Sequence, residues 1–321
     1  MTTEGSVFGV LVRLVWNRAE RRPTAPVRVV TGLVLVVVVA VAVQLGFGVV
    51  LSAVESAVAD RLGVFVVYAG LGGGTLVAAV AVDRRTVADL GFGVDRDWWL
   101  DLAFGLALGA GLMSGVFLVA LGAAWIRVTG TFVADASGGF GVNFLFLVAL
   151  FVAVGVVEEL LLRGWLLTNL AEGFDGVWTV GRRGAVVLAV ALSSAVFGGL
   201  HATNPNATLA STVGITLAGV LLASGYVLTD ELAIPVGIHV TWNLFQGGVY
   251  GFPVSGLDLG VRVVAVAERG PDLFTGGRFG PEAGLLGVGA VVLGTGLVAL
   301  YVRLRTGGLR LDTGVTTPDL R

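Results

Sequence analysis

Glu158 and Glu159 stand side by side in an apolar run, GVVEELLLRGW, and Arg163 follows four residues after the second. The sequence contains 2 histidines, each in another hydrophobic stretch. His201 closes FGGLH; His239 opens HVTWN, with Asn243 four residues on. Ionisable side chains at membrane depth are costly, which makes them functional-site candidates. Glu159 and Arg163 are i,i+4 with the acid N-terminal, the favourable order for a helical ion pair. Glu158 projects about 100° away from Glu159 on an α-helix. The spacing therefore predicts that Arg163 neutralises Glu159 as a scaffold, leaving Glu158 for chemistry. His239 and Asn243 share a helix face, as do Phe197 and His201. Phe197 is expected to pack rather than react.

A glutamate, two histidines and an asparagine can hydrolyse an amide in two ways. In one, Glu158 and His201 polarise a water as general base, while His239 and Asn243 donate hydrogen bonds to the oxyanion. In the other, Glu158, His201 and His239 ligate Zn²⁺, which lowers the pKa of a bound water. The spacing does not choose between no cofactor and Zn²⁺, and no HExxH pair is present. Each residue also has a plainer reading. A Glu–Arg pair can cross-link helices, and a membrane asparagine can form an interhelical hydrogen bond.

The elements that carry these residues are hydrophobic. Of 321 residues, 56% are hydrophobic and 13% charged. A soluble domain carries about 25% charged residues, so the sequence predicts an all-α, polytopic integral membrane protein. About eight spans are expected, near 27–51, 62–82, 98–126, 140–171, 184–202, 207–229, 232–250 and 283–304. The chain is divided into a cytoplasmic segment 1–26, one transmembrane domain 27–304 with the motif core at about 150–250, and a cytoplasmic tail 305–321. The arginine distribution places both termini in the cytoplasm and the protein in the cell membrane. The arginine-rich 83–97 loop is expected to be a solvated, orientation-setting segment. Trp98 and Trp99 are expected at the membrane interface.

Cysteine and lysine are both absent. That removes disulfides, thiolate metal sites, cysteine nucleophiles and Ser–Lys dyads. A net charge of −2 gives no nucleic-acid footprint. Gly72, Gly73 and Gly74 lie within a hydrophobic span, so they are not expected to cradle phosphate.

EELLLR (158–163), FGGLH (197–201) and HVTWN (239–243) together resemble the EExxxR, FxxxH and HxxxN motifs of the CAAX-processing endopeptidase and bacteriocin-processing (CPBP, or Abi) family of intramembrane proteases. DRRTVADLGF, at 83–92, resembles a stretch often seen upstream in prokaryotic members. The resemblance implies endopeptidase chemistry on a membrane-anchored or lipidated substrate. By motif position, Glu158 and His201 would activate water, and His239 and Asn243 would stabilise the oxyanion. Glu159 and Arg163 would support the site. The family has been read both as metalloprotease and as metal-free glutamate protease. A non-enzymatic immunity or scaffold protein of the same fold is the alternative, followed by a proton-coupled transporter with Glu158 and the histidines as a relay.

Straight helices do not bring these motifs to one depth. Counting ~1.5 Å per residue, Glu158 lies ~20 Å from Ala171, His201 ~27 Å from Arg183 and His239 ~12 Å from Glu231. Tilt, broken helices or a water-filled cavity would reconcile them, with Gly198-Gly199 and the NPN of 204–206 as candidate irregularities.

Overall fold

In the computed structural model, which describes residues 14–52, 56–135 and 138–321, the apolar runs fold as helices. They are α1 (Ala25–Leu51), α2 (Ser56–Val77), α3 (Arg96–Gly122), α4 (Gly139–Glu159), α5 (Thr168–Phe174), α6 (Arg182–Leu200), α7 (Leu209–Thr229), α8 (Ala233–Asn243) and α9 (Leu285–Thr306). Among the described residues, seven helices are long and apolar enough to cross a membrane: 25–50, 61–82, 96–122, 139–174, 182–203, 209–229 and 285–306. The protein is a mostly helical, polytopic membrane protein. Residues 1–13 of the expected N-terminal segment, Arg13 among them, lie outside the described residues.

The expected seventh span, 232–250, takes a different form. It is the 11-residue α8 continued by a six-residue π-helical segment, Leu244–Val249. Every residue from Ala233 to Trp242 is buried. Hydropathy registers apolar composition, and a protein-wrapped helix shares that composition with a lipid-facing one. Seven crossings would separate the termini. The expected shared cytoplasmic side requires α8 and its π segment to count as an eighth.

The described chain divides into two compact units. The first comprises the residues up to Gly93, Leu160–Ala189 and Thr313–Arg321. In it α1 packs on α2, and Gly74, one of the glycines expected to have no phosphate role, belongs to that contact. A Cβ at Gly74 would lie 2.8 Å from Cα of Val36, and one at Gly70 2.8 Å from Cα of Ala40. Small residues four apart let membrane helices approach this closely.

The polar part of this unit converges on Glu172. Arg22 and Arg28 each place a guanidinium nitrogen 2.6 Å from its Oε2, and Arg85 pairs with Oε1. Arg28 also donates to Asn169 (2.8 Å), whose amide donates to Asp83 (2.6 Å). All three arginines are buried. Residues 83–89 are thus partly structural rather than a solvated loop. Their charge was legible in the sequence, but their partners come from residues far away in the chain. Removing one member of a buried ion cluster leaves uncompensated charge, which costs about 3–5 kcal/mol. Glu172→Ala is therefore expected to lower the melting temperature sharply or prevent folding, as measured by thermal unfolding in detergent. A shift of only a degree or two would contradict this.

The second unit comprises Val94–Glu159 and Val190–Asp312. Asp95 caps α3, its carboxylate accepting from the Trp98 N–H at 2.8 Å. Trp99 is exposed, whereas Trp98 is buried. Two strands not foreseen, β1 (Ile126–Ala134) and β2 (Val261–Glu268), pair antiparallel between distant loops. Their β-branched runs, IRVTGTFV and VRVVAV, carry the signal, but bulk hydropathy does not register it.

At the centre of this unit α8 is packed against α3, α4 and α7. Glycine makes the contact possible. A Cβ at Gly109 would lie 2.5 Å from the Ile238 carbonyl, one at Gly237 2.6 Å from the Leu106 nitrogen, and one at Gly155 2.7 Å from Val240 Cγ2. Gly105 and Gly109 form a small-xxx-small face on α3 that seats α8. Gly109→Val is expected to push α8 outward at the step from Ile238 to His239. Overpacking of this kind costs about 1–3 kcal/mol. Thermal unfolding together with any activity assay checks the outcome: both are expected to fall, and retention of both would count against the close-packed arrangement.

Candidate active site

Each of the three motifs contains or adjoins a change of helix type. α4 stops being α-helical at Glu159 and continues as a π-helical segment, Leu160–Leu167. α6 runs unbroken through Gly198-Gly199 to Leu200, then tightens into a 3₁₀ turn at His201–Thr203. α8 ends at Asn243, where its own π segment begins. Such irregular turns inside helices are frequent at functional sites. The irregularity expected at Gly198-Gly199 therefore falls a few residues later, at His201. Gly198 serves packing instead, its missing Cβ making room 2.7 Å from the Thr212 carbonyl.

In the second unit these ends meet around His239. Its Nδ1 lies 2.7 Å from Glu159 Oε1, and its Nε2 lies 3.9 Å from Glu158 Oε2. One imidazole thus stands between the two adjacent carboxylates. Their environments differ: the Glu159 side chain is fully buried, whereas that of Glu158 is 23% exposed. Phe197, buried, sets its ring edge-on to both histidines, 4.8 Å from His201 and 5.8 Å from His239 between centroids. It packs, as expected, but it packs against the two imidazoles and spaces them.

The hydrogen bonds fix the histidine roles. His201 Nδ1 lies 2.7 Å from the Phe197 carbonyl oxygen. A carbonyl only accepts, so Nδ1 carries a proton, and in the neutral ring Nε2 keeps a lone pair. His239 Nδ1 faces a carboxylate and is likewise the donor. Its Nε2 becomes a donor only when the ring carries a second proton. Asn243 ends α8, partly buried, four residues beyond His239.

Arg163 lies in the π segment after α4, fully buried and within the first unit. Helical spacing assigned Glu159 to Arg163; the fold sets the Glu159 carboxylate on His239. That link spans 80 residues, and no local pattern announces it.

Zn²⁺ would need at least three converging donors at a catalytic site. Among the described residues, no group of three or more His, Asp and Glu side chains is arranged to hold a metal ion. Both histidines commit Nδ1 to an oxygen acceptor, which leaves Nε2 as the ring nitrogen open to a ligand.

Residues 140–245, about a third of the chain, match the family model for type II CAAX prenyl endopeptidase Rce1-like. Over this segment the chain is similar to the CPBP/CAAX protease family. The matched segment contains Glu158, Glu159, Arg163, Phe197, His201, His239 and Asn243, so the family match and the cluster around His239 fall on the same residues. No curated protein and no solved structure matches the chain. At family level the CAAX-type fold implies a membrane-embedded peptidase.

Proposed function

We propose that this protein is an intramembrane endopeptidase that hydrolyses a peptide bond of a membrane-anchored, lipidated substrate without a metal. The observation that carries the reading is His239 held between Glu158 and Glu159, with Phe197 joining it to His201. His201, with a lone pair on Nε2, and Glu158, with a partly exposed carboxylate, are the two groups able to take a proton from water. The hydroxide oxygen attacks the scissile carbonyl carbon. The oxyanion accepts hydrogen bonds from the Nε2–H of doubly protonated His239 and from the Asn243 amide. On collapse the C–N bond breaks, and the proton taken from water passes to the leaving amine. Phe197 keeps the two rings apart, so that base and donor do not exchange roles. A cell-membrane location with both termini cytoplasmic belongs to the same proposal.

A farnesylated CAAX-terminated peptide offered to the purified protein in proteoliposomes tests this. Release of the terminal tripeptide is expected, at a rate unchanged by a chelator. A rate abolished by chelation and restored by Zn²⁺ would overturn the metal-free mechanism. No cleavage of this or any other membrane-anchored peptide, in protein shown to be folded, would overturn the endopeptidase reading in favour of a scaffold.

A further inference from the structure

Outside the segment that matches the family model, a second buried carboxyl group sits among donors. Glu282 lies on a 3₁₀ turn, Pro281–Ala283, and is buried. Its Oε2 accepts from the Gln246 amide at 2.6 Å. Its Oε1 accepts from the Ser255 N–H at 3.0 Å and from the Ser255 hydroxyl at 3.3 Å. Gln246 is fully buried on the π segment that begins immediately after Asn243, and it also donates to the Pro253 carbonyl at 2.5 Å.

From Ser255 the connection continues toward the other half of the site. The Ser255 carbonyl accepts from the Asn204 side chain at 3.0 Å. The Asn204 N–H in turn donates to the His201 carbonyl at 3.1 Å. One hydrogen-bonded path thus runs from the turn carrying His201, through Asn204, Ser255 and Glu282, to the helical segment adjoining Asn243. The backbone is bent to serve it. Ser255 has φ +47°, a conformation that non-glycine residues adopt rarely and only when their surroundings hold them there. Gly280, at φ +112°, leaves room where a Cβ would meet Glu282 Oε2 at 2.8 Å and Gln246 Nε2 at 3.1 Å.

We propose that Glu282 is a positioning residue for the reaction at His201, His239 and Asn243, tying the His201 turn to the end of α8 so that base and oxyanion donors keep one register. The proposal rests on the endopeptidase reading for its consequence but not for its geometry. The two motif ends belong to helices of different length, and neither is otherwise tied to the other by local sequence. A single acceptor group reading Gln246 on one side and Ser255 on the other sets their relative depth. Burial raises the Glu282 carboxyl to about 7, against hydrogen bonds from Gln246 and Ser255 that favour the ionised form. Both forms retain lone pairs for these donors. A misplacement near 1 Å at a catalytic group costs about a hundredfold in rate, so this tie is expected to appear in turnover rather than in substrate affinity.

The 2 histidines make the test direct, since selective ¹⁵N labelling of histidine gives two imidazole signal sets. In Glu282→Leu both sets are expected to shift or broaden. On the farnesylated peptide, kcat is expected to fall about a hundredfold, with KM within twofold. Glu282→Gln, which keeps one acceptor for Ser255, is expected to recover much of the loss. A merely structural role would lower the melting temperature yet leave kcat per folded molecule and both ring spectra unchanged, and that result overturns the proposal. If Glu282→Leu does not fold, Asn204→Ala decides: an altered His201 ring signal supports the path, and an unaltered one overturns it. Should the wild-type protein cleave nothing, the endopeptidase reading falls, and the ring signals still report whether Glu282 positions the two histidines.

Discussion

Glu158→Gln is expected to insert and fold like the wild type and to lose about 10²–10⁴-fold in turnover, the usual contribution of a general base. The amide keeps the volume and the hydrogen-bonding reach of the carboxylate but cannot take a proton from water at neutral pH. Glu158 suits such a substitution because its side chain is partly exposed. Removing a charge from a membrane-embedded stretch relieves desolvation cost, so stability is expected to hold or rise. Activity and stability then move in opposite directions, which separates a chemical role from a structural one. Single-turnover cleavage of the farnesylated peptide, run beside thermal unfolding, is the measurement. A rate within tenfold of wild type would remove Glu158 from the chemistry.

Glu159→Gln is expected to cost about 10²–10³-fold in kcat, the range seen when an oxyanion donor is lost, with little change in KM. Glu159 reaches no solvent, and its Oε1 holds His239 Nδ1 at 2.7 Å. The carboxylate fixes the Nδ1 proton and the orientation of the ring. An amide in its place can rotate to present its N–H₂ to Nδ1 and release the ring from that orientation. Nitrogen spectra of the labelled rings read the change directly. If Glu159 served only to balance charge, its neutral isostere would leave the His239 ring spectrum where it was.

Much of the site was legible before folding. Charge inside hydrophobic runs singled out Glu158, Glu159 and Arg163. The i,i+4 steps of FGGLH and HVTWN marked the two histidine faces. The membrane class followed from composition alone. Local spacing could not show which of two adjacent carboxylates would meet His239, because α-helical periodicity assigns faces only within one helix. The π segments beginning at Leu160 and Leu244 change that periodicity at the motifs themselves. The burial of α8 was equally hidden, since a core helix and a lipid-facing one have the same hydropathy. Arg22, Arg28 and Arg85 were counted as orienting charges, yet each is buried against Glu172 or its neighbours, on partners that lie far away in sequence for all three.

The sequence by itself determined the environment, the chemical inventory and the order of the motifs, because hydropathy and residue type are properties of single positions and short windows. Tertiary structure decided which lone pair faces which proton: His239 between Glu158 and Glu159, His201 turned back on Phe197, and Glu282 bridging Gln246 and Ser255. The physical reason is range. A hydrogen bond requires two groups within about 3 Å, and for His239–Glu159 and Glu282–Gln246 the groups are separated by 80 and 36 residues, a distance that only packing can close.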